Sequence, residues 1–173
     1  MIERPNVLVW GVGGSNTSIT ARQVAALGWN LGDADAQFAE SVSVRDYNRG
    51  PVRRGQLERA EALAILRALP EPWVLKEPQL LFTIDQWLGV LAEFRPLLLW
   101  ICKPAEQLAE TYRRRGAELE LPAIRRRIER AEAVYRRWPW AKLRLEAADV
   151  ARAVELFDLA RWRASSSTGP PGA

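Results

Sequence analysis

The chain has 173 residues, of which 48% are hydrophobic, and this suits a single domain with a substantial core. It contains no histidine, which excludes histidine-based catalytic triads and metal sites with histidine ligands. The 25 basic and 21 acidic residues give a net charge of +4, a weak excess compared with that of a dedicated nucleic-acid-binding protein.

The single cysteine, Cys102, lies in an apolar run, so disulfide bonds are excluded and a reducing, cytoplasmic compartment is expected. No stretch is long and apolar enough for a signal peptide or a membrane span, so we expect no membrane partner. The arginine triplets at 113–115 and 125–127 share two predicted helices with several glutamates. This pattern indicates a solvated, ion-paired surface, and we expect no nucleic-acid partner.

The first predicted strand, at 7–10, is followed by a glycine-rich turn and by a helix that begins at Thr17. The backbone N–H groups of such a turn, together with the positive end of the helix dipole, bind phosphate. In the Walker A pattern G-x-x-x-x-G-K-[ST], Gly11 and Ser18 are in place, but Asn16 replaces the second glycine and Thr17 replaces the lysine. The missing lysine argues against a nucleoside triphosphatase.

Strand and helix patterns alternate along the rest of the chain. The apolar spacing predicts helices at 17–27, 57–69, 81–91, 105–115, 122–137 and 148–162, and strands at 29–32, 73–75, 97–102 and 142–145. The segment 37–54 is irregular and polar, and its four arginines favour a lid or a substrate loop. We expect one domain over residues 1–163 and a disordered tail over 164–173.

Alternating strands and helices predict a three-layer α/β, P-loop-like fold with a mostly parallel sheet of four or five strands. Numbered along the chain, the strands are expected in the order 2-3-1-4-5. Ligands of such sheets bind at the carboxyl ends of the strands.

The glycine-rich stretch resembles the 5′-phosphosulfate loop of the sulfotransferase family, G-x-P-[RK]-S-G-T-[TS], and the chain is similar to a short, divergent bacterial-type member. Gly14 stands in place of the basic residue. The resemblance implies that the co-substrate is 3′-phosphoadenosine-5′-phosphosulfate. It also implies that one group of loop residues binds its 5′-phosphosulfate: Gly13, Gly14, Ser15, Asn16, Thr17 and Ser18.

A second similarity lies at the end of the strand at 97–102. Lys103, Pro104 and Thr111 resemble a sulfotransferase pattern in which an arginine at a strand end and a serine eight positions later bind the 3′-phosphate. A cation at a strand end and a hydroxyl two helical turns later can close on one phosphate. The resemblance assigns this role to Lys103 and Thr111.

The catalytic candidates come from two further stretches. The run 74–78 resembles the family's K-[DE]-P-R segment, which implies that Lys76 stabilises charge in the transition state. Family members without a catalytic histidine use a carboxylate from the region after the first helix, so the resemblance implies that Asp33, Asp35 or Glu40 deprotonates the acceptor hydroxyl.

The resemblance therefore implies transfer of a sulfonate group, without a metal, to a hydroxyl or amine of a small-molecule or glycan acceptor. Three alternatives remain open at this point. They are a non-catalytic or degenerate nucleotide-binding protein, a nucleotide or nucleoside kinase with a degenerate loop, and a basic nucleic-acid-binding protein.

Overall fold

The computed structural model describes residues 4–146, and the predicted helix at 148–162 and the predicted tail at 164–173 lie outside these residues. The strands β1 to β4 of the described part lie at Val7–Trp10, Val74–Lys76, Leu97–Cys102 and Lys142–Glu146. Its helices α1 to α6 lie at Thr17–Ala26, Val42–Arg49, Arg59–Arg67, Leu80–Leu91, Ala105–Arg114 and Leu121–Arg137. A single 3₁₀ turn, Val52–Arg54, follows α2.

The four strands form one parallel sheet in the order β2-β1-β3-β4. This confirms the predicted α/β fold and the predicted order of these strands. The strand predicted at 29–32 is reduced to one parallel bridge between Asn30 and Trp73. Gly28 and Gly32 on either side of it have positive φ angles of 100° and 61°, so the chain turns away before a longer pairing can form.

Alternate residues of the strands face two separate apolar layers, as the period of a strand requires. Val7 and Val9 pack with Val24 of α1 on one face of the sheet. Leu8 and Trp10 lie on the opposite face, in the larger core formed with α2 to α6. All six residues of β3 are buried, which confirms the prediction that this strand is covered on both faces.

The prediction of an irregular segment at 37–54 is wrong over Val42–Arg49, which form α2. Ser41 caps this helix, since its Oγ accepts a hydrogen bond from the backbone N–H of Val44 at 3.4 Å. Val44 and Tyr47 are buried on one face of the helix. The helix is short and mostly polar, so the spacing of its two buried residues is too weak a pattern to predict it from the sequence.

Because the strands are parallel, the segments that follow β1, β2 and β3 meet at one edge of the sheet. These segments contain Gly11, Glu77 and Lys103, so the glycine-rich turn and Lys103 lie at that edge, together with Lys76 at the end of β2. No helix within residues 4–146 is long and apolar enough to cross a membrane. The cytoplasmic location and the domain limit at residue 163 stay predictions.

Candidate functional site

The glycine loop, residues 11–18, connects β1 to α1 at the carboxyl edge of the sheet. Gly11 has no room for a side chain, because a Cβ there would lie 2.8 Å from the backbone carbonyl oxygen of Ile101 in β3. Gly14 has a φ angle of 90° and Asn16 has one of 65°, and both lie in the left-handed region. Asn16 thus supplies the backbone conformation that glycine provides in the Walker A pattern.

The loop ends at the amino terminus of α1, where the first N–H groups of a helix lack helical acceptors. Ser15 and Thr17 are buried, and Ser18 is half-buried. Thr20 closes the first turn, since its backbone N–H and its hydroxyl both donate to the carbonyl oxygen of Asn16. The loop therefore presents backbone N–H groups and small side chains, the features that bind a phosphate or another tetrahedral anion.

Lys103 and Thr111, which the resemblance to sulfotransferases singled out, lie together beside this loop. Lys103 Nζ donates to Thr111 Oγ1 at 2.8 Å and to the carbonyl oxygen of Gly14 at 3.3 Å. Burial of the Lys103 ammonium, with Arg115 and Arg114 nearby, lowers its pKa from the ordinary value. The cation that the loop lacks in its own sequence thus comes from the end of β3. The roles of these residues in binding stay predictions.

A cavity of about 200 Å³, the loop cavity, opens beside the glycine loop. Val12 and Ser15 of the loop line it, together with Lys103 and with Arg144 of β4. It also contains the carboxylate of Glu132. The volume is below the roughly 300–1,000 Å³ typical of whole-ligand sites. The loop cavity is therefore large enough for part of a ligand whose remainder extends along the loop.

Cys102 forms one wall of the loop cavity. Its Sγ accepts a hydrogen bond from Arg144 Nε at 3.1 Å. Burial nevertheless raises the pKa of the Cys102 thiol to about 11, and the nearby Arg144 only partly offsets this. The thiol therefore stays protonated at neutral pH and acts as a packing group.

Two of the predicted general bases serve as structural acceptors. Asp33 accepts from the hydroxyl of Ser41 at 2.7 Å and from the backbone N–H of Ser43 at 2.7 Å. Burial raises the pKa of Asp33, but the bonds from Ser43 and Ser41 outweigh it and lower the pKa overall. Asp35 accepts from the backbone N–H of Phe38 at 2.6 Å, the main reason that its pKa is lowered. Both carboxylates shape the chain that leads into α2.

The other two catalytic candidates, Lys76 and Glu40, form a buried ion pair. Lys76 Nζ lies 2.7 Å from Glu40 Oε1 and also donates to the carbonyl oxygen of Phe38 at 3.2 Å. Only 5% of the Lys76 side chain is exposed. The pairing joins the end of β2 to the segment before α2, and no local pattern predicts it, since the partners are 36 residues apart.

The residue after Lys76, Glu77, belongs to a buried polar network that the sequence analysis missed. Its Oε2 accepts from Asn48 Nδ2 at 3.1 Å and from the backbone N–H of Leu80 at 3.0 Å. Its Oε1 has no hydrogen-bond partner among the described residues. Burial raises the pKa of Glu77 to about 7, with the nearby charge of Glu40 adding to it. A buried, titratable carboxylate therefore lies at the carboxyl end of β2.

The comparisons with known proteins support the fold and little beyond it. No protein-family model matches the sequence, and no curated protein matches it. Among solved structures, the chain is similar to a gluconokinase from Sinorhizobium meliloti 1021, with a TM-score of 0.56 and 17% sequence identity. The similarity covers 96% of this chain and 99% of the other.

These findings correct the resemblance to sulfotransferases. The prediction of a sulfotransferase and that of 3′-phosphoadenosine-5′-phosphosulfate as co-substrate are wrong, since the whole described fold is like that of a kinase. The geometry of the glycine loop also argues against a sulfotransferase site. At Gly14, where the sulfotransferase pattern has its cation, a Cβ would lie 3.3 Å from Thr111 Cγ2, so a basic side chain has little room. The chain has a P-loop-like α/β fold similar to that of this protein.

Proposed function

We propose that this protein binds a nucleoside phosphate, with its phosphates held at the glycine loop and at Lys103. The observation that carries the proposal is the position of Lys103 Nζ, 3.3 Å from the carbonyl oxygen of Gly14. It places a cation beside a strand–glycine loop–helix unit in a kinase-like fold, where the Walker A lysine is replaced by Thr17.

The electrostatics of this arrangement favour a multiply charged anion. The dipole of α1 and the free N–H groups at its start attract negative charge. An ammonium has three donors, and Lys103 Nζ uses two of them, on Thr111 Oγ1 and on the Gly14 carbonyl oxygen, among the described residues. One donor of Lys103 remains for a phosphate oxygen.

The residues present are compatible with a nucleotide that carries Mg²⁺. Ser18 stands where the Walker A pattern has the hydroxyl residue that holds the ion. Mg²⁺ usually takes few protein ligands and fills its shell with water and phosphate oxygens. Residues 4–146 contain no group of three or more acidic or cysteine side chains that could hold a metal by themselves. The nucleotide phosphates would therefore supply most of the ion's ligands.

Phosphoryl transfer to a small hydroxyl-bearing acceptor is a second candidate function. The likeness of the fold to a gluconokinase favours it. The replacement of the Walker lysine by Thr17 removes a group that stabilises charge in phosphoryl transfer, so turnover would be slow. Release of ADP from Mg²⁺-ATP in the presence of sugar acids and polyols tests this candidate. Binding of ATP without any release of ADP would leave a nucleotide-binding protein and rule out the kinase.

Calorimetric titration with ATP, ADP and adenosine tests the primary proposal. We expect ATP and ADP to bind and adenosine to bind much more weakly, because the phosphates make the main contacts. Gly13→Asp places a carboxylate in the loop at a position whose neighbour, the Tyr112 hydroxyl, can yield, and it should abolish binding. The matched control is Gly89→Asp, at an exposed site on α4 with open space around it. Equal binding of ATP by the two variants would refute the proposal.

A further inference from the structure

A second cavity lies between α2, the 3₁₀ turn and the start of α4, and it shares no lining residue with the loop cavity. Its volume is about 550 Å³, within the range of small-molecule sites. We call it the arginine cavity. It is lined by Asn48, Arg49, Arg53, Gln79, Phe82 and Thr83.

The two arginines of this cavity lack a counter-charge. Within the described part of the chain, neither Arg49 nor Arg53 forms an ion pair or a side-chain hydrogen bond, and both are exposed. Other exposed arginines are paired, such as Arg59 and Arg67 with Glu93. Two unpaired guanidinium groups on one concave surface create a positive potential that an anionic ligand would neutralise.

The walls that carry these arginines are held in place by buried contacts. Val52 is fully buried, and its carbonyl oxygen accepts from Gln86 Nε2 of α4 at 3.1 Å, which fixes the 3₁₀ turn that carries Arg53. Asn48, next to Arg49, is fixed because its Oδ1 accepts from Thr83 Oγ1 at 3.0 Å and from Trp87 Nε1 at 2.8 Å. The cavity is therefore a preformed site whose backbone need not rearrange on binding.

The opposite wall supplies an apolar contact. Phe82 is 47% exposed, and its ring lies 5.6 Å from the guanidinium carbon of Arg127. This cation–π contact helps to hold the ring in place. The cavity thus combines two free guanidinium groups with an exposed aromatic surface.

We propose that the arginine cavity binds a small organic anion, whose carboxylate or phosphate group lies between Arg49 and Arg53 and whose apolar part packs on Phe82. This site is separate from the glycine loop and does not require nucleotide binding.

Phenyl phosphate and benzoate, titrated by calorimetry, are matched probes for this site, and benzyl alcohol is the neutral control. We expect both anions to bind and the alcohol to bind at least about tenfold more weakly. Tighter binding of phenyl phosphate would indicate a phosphate ligand, and tighter binding of benzoate a carboxylate ligand. Equal affinities for the alcohol and both anions, or no binding of either anion at millimolar concentration, would overturn the proposal.

Substitutions test whether the anions bind at the arginine cavity or at the glycine loop. Arg49→Gln and Arg53→Gln should each weaken phenyl phosphate about tenfold, because each removes charge-assisted hydrogen bonds. Arg95→Gln, at an exposed, unpaired arginine of the described chain just before β3, should have no effect. Lys103→Met should leave binding of benzoate unchanged, because benzoate lacks the tetrahedral anion that the glycine loop favours. Binding lost in Lys103→Met but kept in the two arginine variants would place the anion at the glycine loop, which would overturn this proposal and leave the proposed function standing.

Discussion

Lys103 at the end of β3 donates a hydrogen bond to the carbonyl oxygen of Gly14, 89 positions earlier in the chain, at 3.3 Å. The same ammonium donates to Thr111 Oγ1 at 2.8 Å, so β3, α5 and the glycine loop meet at one cation. In the Walker A pattern the lysine belongs to the loop itself. Here Thr17 occupies that place and is buried, and the charge reaches the loop from a neighbouring strand.

We expect a large energetic coupling between Lys76 and Glu40 in the free energy of unfolding, because the two charges are paired in a nearly closed site. Replacement of Lys76 with methionine would leave Glu40 unpaired in a nearly closed site, and we expect a loss of about 3–5 kcal/mol in the free energy of unfolding. The double variant Lys76→Met/Glu40→Leu should recover much of this loss. Urea denaturation measures both effects.

The control for this pair is Arg114→Met, which breaks the exposed ion pair with Glu110 and should leave stability nearly unchanged. If the effects of Lys76→Met and of Glu40→Leu simply added in the double variant, the pair would carry no coupling and this view of the site would be wrong.

We expect that substitution of Asn48 also lowers the stability of the protein strongly. Its side chain makes three buried hydrogen bonds, to Thr83, Trp87 and Glu77. Asn48→Ala would leave the Trp87 indole N–H without its partner and would remove one hydrogen bond each from Thr83 and Glu77, and we expect a loss of about 2–4 kcal/mol in the free energy of unfolding. Asn30→Ala, at an exposed asparagine, is the matched control and should cost far less. Comparable thermal unfolding of the two variants would argue against the network.

Glu77 predicts a pH-dependent stability with a definite sign. Burial raises its pKa to about 7 in the folded protein, compared with 4.5 for an ordinary glutamate. Between these values the folded state keeps a proton that the unfolded chain releases, so the free energy of unfolding falls as the pH rises from about 4.5 to 7. The loss amounts to roughly 3 kcal/mol and levels off above pH 7.

Glu77→Gln removes this titration while it keeps an oxygen to accept from Asn48 Nδ2. The difference in unfolding free energy between the variant and the wild type should therefore grow in favour of the variant from pH 5 to about 7. Chemical denaturation at several pH values gives that difference. A constant difference over this range would mean that Glu77 titrates normally.

Gly11 predicts a steric effect in the glycine loop. A Cβ at this position would meet the carbonyl oxygen of Ile101 at 2.8 Å, and we expect Gly11→Ala to cost about 1–3 kcal/mol of stability. Gly89→Ala is the opposite case, because the added methyl group meets nothing in α4 and should stabilise the helix by about 0.5–1 kcal/mol. Thermal unfolding of both variants measures these two effects on stability. A Gly11→Ala protein as stable as the wild type would contradict the close approach of the loop to β3.

The strands and most helices could be predicted because they carry simple patterns. The apolar run of β3 and the spacing of Leu81, Ile84 and Leu91 in α4 both match buried residues. The helix α2 could not be predicted, since Val44 and Tyr47 are its only buried apolar residues and the rest of it is polar. Such a helix is stabilised by its tertiary contacts and by the Ser41 cap more than by its own pattern.

The site could be predicted only where neighbouring residues act together. Lys103 and Thr111, at a strand end and on the helix that follows, were expected to bind one phosphate, and in the structure Lys103 Nζ lies 2.8 Å from Thr111 Oγ1. The pairing of Lys76 with Glu40 depends on how residues 33–41 fold over β2, which local spacing does not encode. The resemblance to sulfotransferases was wrong because it rested on short motifs around a glycine-rich turn, a feature that unrelated phosphate-binding proteins share.

The most direct test of the account is calorimetric titration of ATP into the wild type and into Lys103→Met. The matched control is Lys142→Met, because Lys142 begins β4 at the opposite edge of the sheet and its Nζ donates to the carbonyl oxygen of Arg136. We predict that the wild type and Lys142→Met bind ATP alike and that Lys103→Met binds it at least about tenfold more weakly. Equal affinity in all three proteins, or no binding of ATP by the wild type, would contradict the claim that Lys103 supplies the cation of a nucleotide site.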